Sequence, residues 1–168
     1  MLETERIKFE PLKLTYKKDL EKLFCENNLV MKSTLKGRVF TKNEFEEITK
    51  KDFISSKKDK LGFWCLKSKT QNEIIGVSGL HKFNYLDKEY YEFGFILNEN
   101  YWKKGFATEI GNFWFEYAKQ KMNITQLIAT VSPKNNASRR VLQKLKMEYL
   151  GSFKSEQRGE RLILIKNI

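Results

Sequence analysis

The sequence predicts an α/β fold on a mixed, mostly antiparallel central sheet, in the order β-α-α-β-β-β-α-β-α-β-β. Three observations carry that expectation. Leu61–Lys67, Glu73–Lys82 and Tyr90–Leu97 are apolar runs separated by short polar turns, which reads as an antiparallel meander. A run with Phe106, Ile110, Phe113, Trp114, Tyr117 and Ala118 at helical spacing follows closely. The chain ends in two strand-like segments, Glu148–Lys154 and Glu160–Lys166, around an Arg158-Gly159 turn that reads as a hairpin. The count is about seven strands and about four helices in a single domain over residues 1–168, a length that suits one core rather than two.

Taken in order, Arg6-Ile7-Lys8-Phe9-Glu10 alternates as a first strand, closed at an edge by Pro11. Thr15 is placed to cap a helix whose stripe is Leu20, Leu23 and Phe24. Asn27 to Thr41 is polar and irregular apart from Leu29-Val30-Met31. A second helix starts near Lys42, with Phe45, Ile48, Phe53 and Ile54 loosely periodic, and Lys57-Lys58-Asp59-Lys60 reads as a solvated connection. Ser68 to Asn72 and Asn84 to Lys88 are turns, and glycines at 76 and 79 should break the strand between them. After the 106–121 helix, Gln126–Val131 is a strand limited by Pro133. Asn135 or Asn136 then caps a helix that turns Ala137, Val141, Leu142 and Leu145 to one side.

Composition excludes several classes. No apolar run approaches the ~18–20 residues of a membrane span, and MLETERIKFE has neither the basic start nor the apolar stretch of a secretory signal. A cytoplasmic protein is expected. Cys25 and Cys65 are too few for a disulfide framework, and they should remain thiols. His81 is the one histidine, so a multi-histidine metal site is excluded and no metal is expected. The net charge of +11 invites a nucleic-acid or ribosome reading. The basic residues are spread along the whole chain rather than gathered in a block, so nucleic acid is not expected as a partner.

The chemistry concentrates between Tyr90 and Ala107. In the apolar Tyr90–Leu97 strand, alternation puts Tyr90, Glu92, Gly94 and Ile96 on one face, and only Glu92 breaks the apolar pattern. A carboxylate there must be paired, solvated by a cleft, or left costly and neutral. Gly94 leaves room on the same face. Trp102-Lys103-Lys104-Gly105-Phe106-Ala107 then forms a basic glycine turn into a helix start, a geometry that binds phosphate through unpaired amides and the helix dipole. An ordinary helix start after a glycine turn is the plainer alternative.

These segments resemble the GNAT acetyltransferases, in particular the RimJ/RimL-like ribosomal-protein-alanine branch. The matching pieces are Leu2-Glu3-Thr4-Glu5-Arg6, Gly62-Phe63-Trp64, Ile75-Gly76 with Gly79-Leu80, Tyr91-Glu92-Phe93-Gly94-Phe95, Tyr101 to Glu109, and Asn135-Asn136-Ala137-Ser138-Arg139-Arg140-Val141-Leu142, in family order. The resemblance implies the GNAT-like fold and acetyl-CoA as co-substrate. The turn would bind it through Trp102, Lys103, Lys104, Gly105, Phe106, Ala107 and Thr108, with Trp102 standing where the family has Gln or Arg. Phe95, Ile96 and Leu97 would line the acyl end, where a main-chain N–H holds the oxyanion and the sheet splays. Asn135 would bond the pantetheine arm, and Ser138 would lie near the thioester sulfur. Arg139, Arg140, Lys103 and Lys104 are candidates for the CoA phosphates, with a solvated surface position as the plainer reading of each. A plain helix cap is the alternative for Asn135 and Ser138. The tyrosine that many relatives use as an acid is Leu142 here, and a usual glycine is Lys146, so the loop after it should differ in shape.

Glu92 is then the candidate general base, since an amine must lose its proton before attacking a thioester. Ser138 is the candidate acid, with water, or no acid because a thiolate is already a fair leaving group, as the alternatives. Glu92 paired with a cation, or anchoring substrate, is the competing role. The resemblance favours a protein N-terminal amine as acceptor. A small-molecule amine (polyamine, amino acid or aminoglycoside) and a non-catalytic module binding RNA or the ribosome are the alternatives. Asn27–Thr41 and the Ser155–Glu160 hairpin should wall the acceptor site. A monomer or a homodimer would serve equally.

Overall fold

A computed structural model describes residues 2–55 and 61–168; the connection read at Lys57-Lys58-Asp59-Lys60 lies outside them. Seven strands form one mixed sheet: β1 (Ile7–Glu10), β2 (Gly62–Ser68), β3 (Ile74–Tyr85), β4 (Lys88–Leu97), β5 (Gln126–Val131), β6 (Glu148–Ser155) and β7 (Gly159–Asn167). Their spatial order is β1-β2-β3-β4-β5-β7-β6. β1–β2, β5–β7 and β6–β7 are antiparallel, and β4–β5 is parallel. The helices are α1 (Lys17–Glu21), α2 (Asn28–Met31), α3 (Lys42–Lys51), α4 (Phe106–Met122) and α5 (Asn136–Lys144). The predicted order is this one, with one short helix added in the segment read as irregular. Close packing divides the chain into two compact units, Met1–Gly79 with Phe95–Lys104 and Leu80–Gly94 with Gly105–Ile168.

In the first unit, Phe24 sits at the centre of an aromatic cluster, its ring 5.7 Å from Phe40, 5.6 Å from Phe45 and 6.0 Å from Phe53. Thr15 does not cap a helix. It lies inside a 3-10 turn, Leu14–Tyr16, that runs into α1 with no side-chain cap, and a π turn at Lys22–Glu26 follows. The tertiary need to bury Tyr16, Leu20, Leu23 and Phe24 together overrides a regular 3.6-residue winding. α3 begins with a full capping box. Thr41 Oγ1 accepts from the Glu44 amide at 3.2 Å, and Glu44 Oε2 accepts from the Thr41 amide at 2.9 Å. Arg38 foremost, then Lys36 and the Thr41 amide, hold the Glu44 carboxyl well below the usual range.

Gly76 and Gly79 do not break β3. They let neighbouring backbone come close: a Cβ on Gly79 would lie 1.8 Å from the Gly62 carbonyl oxygen, and one on Gly76 would lie 2.0 Å from that of Ile96. Because the obstacle at Gly79 is main chain and cannot rotate away, Gly79→Ala is expected to destabilise the fold by about 3 kcal/mol in denaturant unfolding.

Tyr101 is buried, and its hydroxyl bonds the Glu73 carboxylate. Burial first, then that bond, pushes its pKa up to about 12. A folded-state pKa above the unfolded value near 10 means that the neutral phenol stabilises the fold at lower pH. This contribution is complete below about pH 10 and is lost as pH rises toward about 12. The stability gap between the wild type and Tyr101→Phe should therefore be constant at neutral pH and close across that window, as urea midpoints would read.

In the second unit, Phe93 on β4 meets Phe115 on α4 with ring centroids 5.5 Å apart. α4 also packs closely on the end of α5, where Leu145 side-chain atoms fill the space a side chain at Gly111 would need. The β3–β4 connection is a two-residue turn, shorter than read, with Leu86 and Asp87 both left-handed (φ 48° and 59°). α5 ends in a Schellman motif: the Lys146 amide bonds Gln143 O and the Met147 amide bonds Leu142 O. Lys146 itself takes φ 57°. The residue standing where the family has glycine thus adopts the conformation glycine favours.

Candidate active site

Glu92 lies in the second unit, half-buried on β4. The parallel ladder with β5 comprises Tyr91↔Leu127 and Glu92↔Ile128, although β4 runs on to Leu97 and β5 to Val131. Past that ladder, the Thr130 amide donates to Glu92 Oε1 at 3.2 Å, and the Thr130 hydroxyl donates to the same oxygen at 2.6 Å. Arg161 on β7 donates from Nη2 to the Thr130 carbonyl at 3.2 Å. A Cβ on Gly94, two residues along on the Glu92 face, would meet nothing within 4 Å. Among the described residues, no side chain forms an ion pair with Glu92 at bonding distance. The structure therefore offers a carboxylate anchored through one oxygen beside open space.

In the first unit, the end of β4 and the turn after it are held by two contacts that the sequence did not announce. Trp102 Nε1 donates to the Leu97 carbonyl at 2.9 Å, which gives the departed family position a local structural role. Arg6 Nη1 donates to the Lys104 carbonyl at 2.9 Å, across 98 residues of sequence. Lys103 is left-handed at φ 59°, and Lys103 and Lys104 are exposed. Ile96 and Leu97 are buried and Phe95 is half-buried.

In the second unit, Gly105 is the residue ahead of α4, left-handed at φ 84°, and no side chain caps the helix. The Glu109 amide is bonded to Gly105 O at 3.1 Å, as expected for the first closed helical turn. Ala107 and Thr108 are half-buried behind it, and Phe106 is buried. Asn135 is the cap of α5, its Oδ1 accepting from the Ser138 amide at 3.1 Å. Ser138 is half-buried, and its hydroxyl makes no hydrogen bond among the described residues. Arg139 is exposed and donates to the Pro133 carbonyl at 3.2 Å. Leu142 is only 3% exposed, so the position of the family's acid is sealed in the core.

The cysteines are both free thiols. Cys65 is buried, and burial first pushes its pKa up to about 12; that of Cys25 is also raised, again mainly by burial. Neither is an activated nucleophile. No group of metal-binding side chains occurs among the described residues, and none of their helices is long and apolar enough to cross a membrane.

The acetyltransferase (GNAT) domain family matches residues 6–148. The chain belongs to the GNAT acetyltransferase family. An uncharacterized N-acetyltransferase of Bacillus subtilis (strain 168), YnaD, is 31% identical over 131 residues, covering 78% of this chain and 73% of that protein. Among solved structures, RimL, a ribosomal L7/L12 α-N-protein acetyltransferase in complex with coenzyme A, is similar at TM-score 0.76 and 13% identity, covering 98% of this chain and 96% of its own. Spermidine N-acetyltransferase from Vibrio cholerae, in complex with CoA and spermine, is similar at TM-score 0.75 and 16% identity, covering 98% of this chain and 96% of its own. At those identities the two structures speak to the fold. This GNAT protein is an acyl-CoA-dependent N-acyltransferase.

Sequence reasoning missed Thr130 and Arg161, because neither breaks a pattern: Thr130 sits within an ordinary strand and Arg161 reads as one more surface cation. The contact of Arg6 with the turn had no local signal either, since it joins opposite ends of the first unit's sequence.

Proposed function

We propose that this GNAT domain transfers the acetyl group of acetyl-CoA to a primary amine, by direct attack, with Glu92 as general base. The observation that carries the reading is the Glu92 carboxylate itself, half-buried, anchored through Oε1 and bordered by the open face of Gly94. The acceptor ammonium gives its proton to Glu92, directly or through one water, and the neutral nitrogen attacks the thioester carbonyl. The uncapped first turn of α4, opened by Gly105, takes the diphosphate of acetyl-CoA. Asn135 is assigned to the pantetheine arm. Ser138, whose hydroxyl is uncommitted, delivers a proton to the departing thiolate, or water does. No acyl-enzyme forms, because neither thiol is activated.

The acceptor assigned first is a protein N-terminal amine, on the resemblance to the RimJ/RimL branch and the structural likeness to RimL; such a reaction belongs in the cytoplasm. The comparable likeness to a spermidine acetyltransferase keeps a small polyamine as the second reading. CoA release, measured over a panel of N-terminal peptides and polyamines, separates them. Turnover of peptides is expected, and turnover of spermidine alone would transfer the assignment. Acetyl-CoA at a hundredfold excess over Kd should stabilise the fold by about 2.7 kcal/mol. Absence of both stabilisation and CoA release, with a salt-steep RNA affinity instead, would overturn the reading.

A further inference from the structure

We infer that Thr130 and Arg161 are positioning residues for Glu92, with Arg161 holding Thr130 and Thr130 fixing the carboxylate so that Oε2 is presented to the acceptor amine. The inference rests on the function proposed above and extends it to residues that no motif marks.

Thr130 lies on β5 just past the end of the β4–β5 ladder, where its amide has turned to a side chain. Glu92 Oε1 accepts from that amide at 3.2 Å and from the Thr130 hydroxyl at 2.6 Å, which occupies both lone pairs of that oxygen. Oε2 accepts no hydrogen bond among the described residues, so it is the oxygen left for an ammonium or a water. The direction of the hydroxyl is also determined. Arg161 Nη2 lies 3.2 Å from the Thr130 carbonyl and 3.5 Å from its Oγ1. A guanidinium only donates, so the Thr130 proton is directed at Glu92.

Arg161 is 7% exposed, its Nε has no hydrogen-bond partner, and it forms no ion pair at bonding distance among the described residues. Burial, helped by the nearby Arg158, brings its pKa down to about 10, and Glu92 opposes that shift. A buried cation without a direct counter-ion is costly. Position 161 pairs with Phe153 across β6 and β7. What an apolar side chain could not supply is a donor to Thr130 and a positive charge behind Glu92. All of these groups complement a negative carboxylate.

The test uses the full chain and the amine identified by CoA release. Thr130→Val keeps the amide bond and removes the hydroxyl; it should lower kcat about tenfold, with the KM for acetyl-CoA unchanged. Thr130→Ser should restore the rate. In a Glu92→Gln background, Thr130→Val should have no further effect on kcat, because the proton acceptor that Thr130 positions is already gone. Arg161→Met should lower kcat without lowering Tm, whereas a merely structural arginine would do the reverse. A wild-type kcat in Thr130→Val, or a full further loss in the double variant, would overturn the inference. If the wild type turns over no amine, the proposed function falls and the arrangement is still read by hydrogen exchange. The Thr130 amide should exchange at least about tenfold faster in Glu92→Ala, and an unchanged rate would overturn it.

Discussion

Glu92→Gln is expected to lower kcat by roughly 10²–10⁴-fold while leaving acetyl-CoA affinity unchanged. Glutamine keeps the shape of the side chain, and its amide oxygen can still accept from Thr130, so the anchoring seen at 2.6 Å survives. What disappears is the capacity to take a proton. The amine must then reach the thioester already neutral, so the variant should recover activity only as rising pH deprotonates the acceptor in solution. The pH–rate profile is the decisive measurement, since a purely structural carboxylate would change Tm and leave the form of the profile alone. An unaltered profile in Glu92→Gln would remove Glu92 as the base, although membership of the family would stand.

Gly105→Val should abolish acetyl-CoA binding in a protein that still folds. Gly105 sits at φ 84°, where a β-branched residue is strained, and it is the residue from which α4 starts without a side-chain cap. Its substitution should cost about 1–2 kcal/mol of stability, because αL strain is local. The effect on binding should be far larger, since a side chain there stands where the diphosphate must approach the first amides of the helix. Loss of the acetyl-CoA-dependent rise in Tm with an unchanged far-UV circular dichroism spectrum is the expected result. A normal rise would show that the diphosphate is held elsewhere. The two substitutions are complementary: one acts on the chemical step with binding intact, the other on binding with the base intact.

Hydropathy periodicity, the glycine turn and the ordered motifs determined the strand count, the mixed sheet and the family. Those signals are local, because burial acts on each segment through its own spacing of apolar side chains. The same local logic picked out Glu92, an isolated carboxylate in an apolar strand, and Asn135, an amide side chain ahead of a helix. It failed wherever the deciding neighbour is distant in the chain. Gly76 and Gly79 read as strand breakers until the backbone of Ile96 and of Gly62 is seen against them. Thr15 read as a cap until the packing around Phe24 wound the first helix into 3-10, α and π turns. Only the tertiary structure decided which oxygen of Glu92 is spent and which is left. That choice depends on Thr130 and Arg161, brought to Glu92 from 38 and 69 positions away by strand order rather than by any pattern in the residues between them.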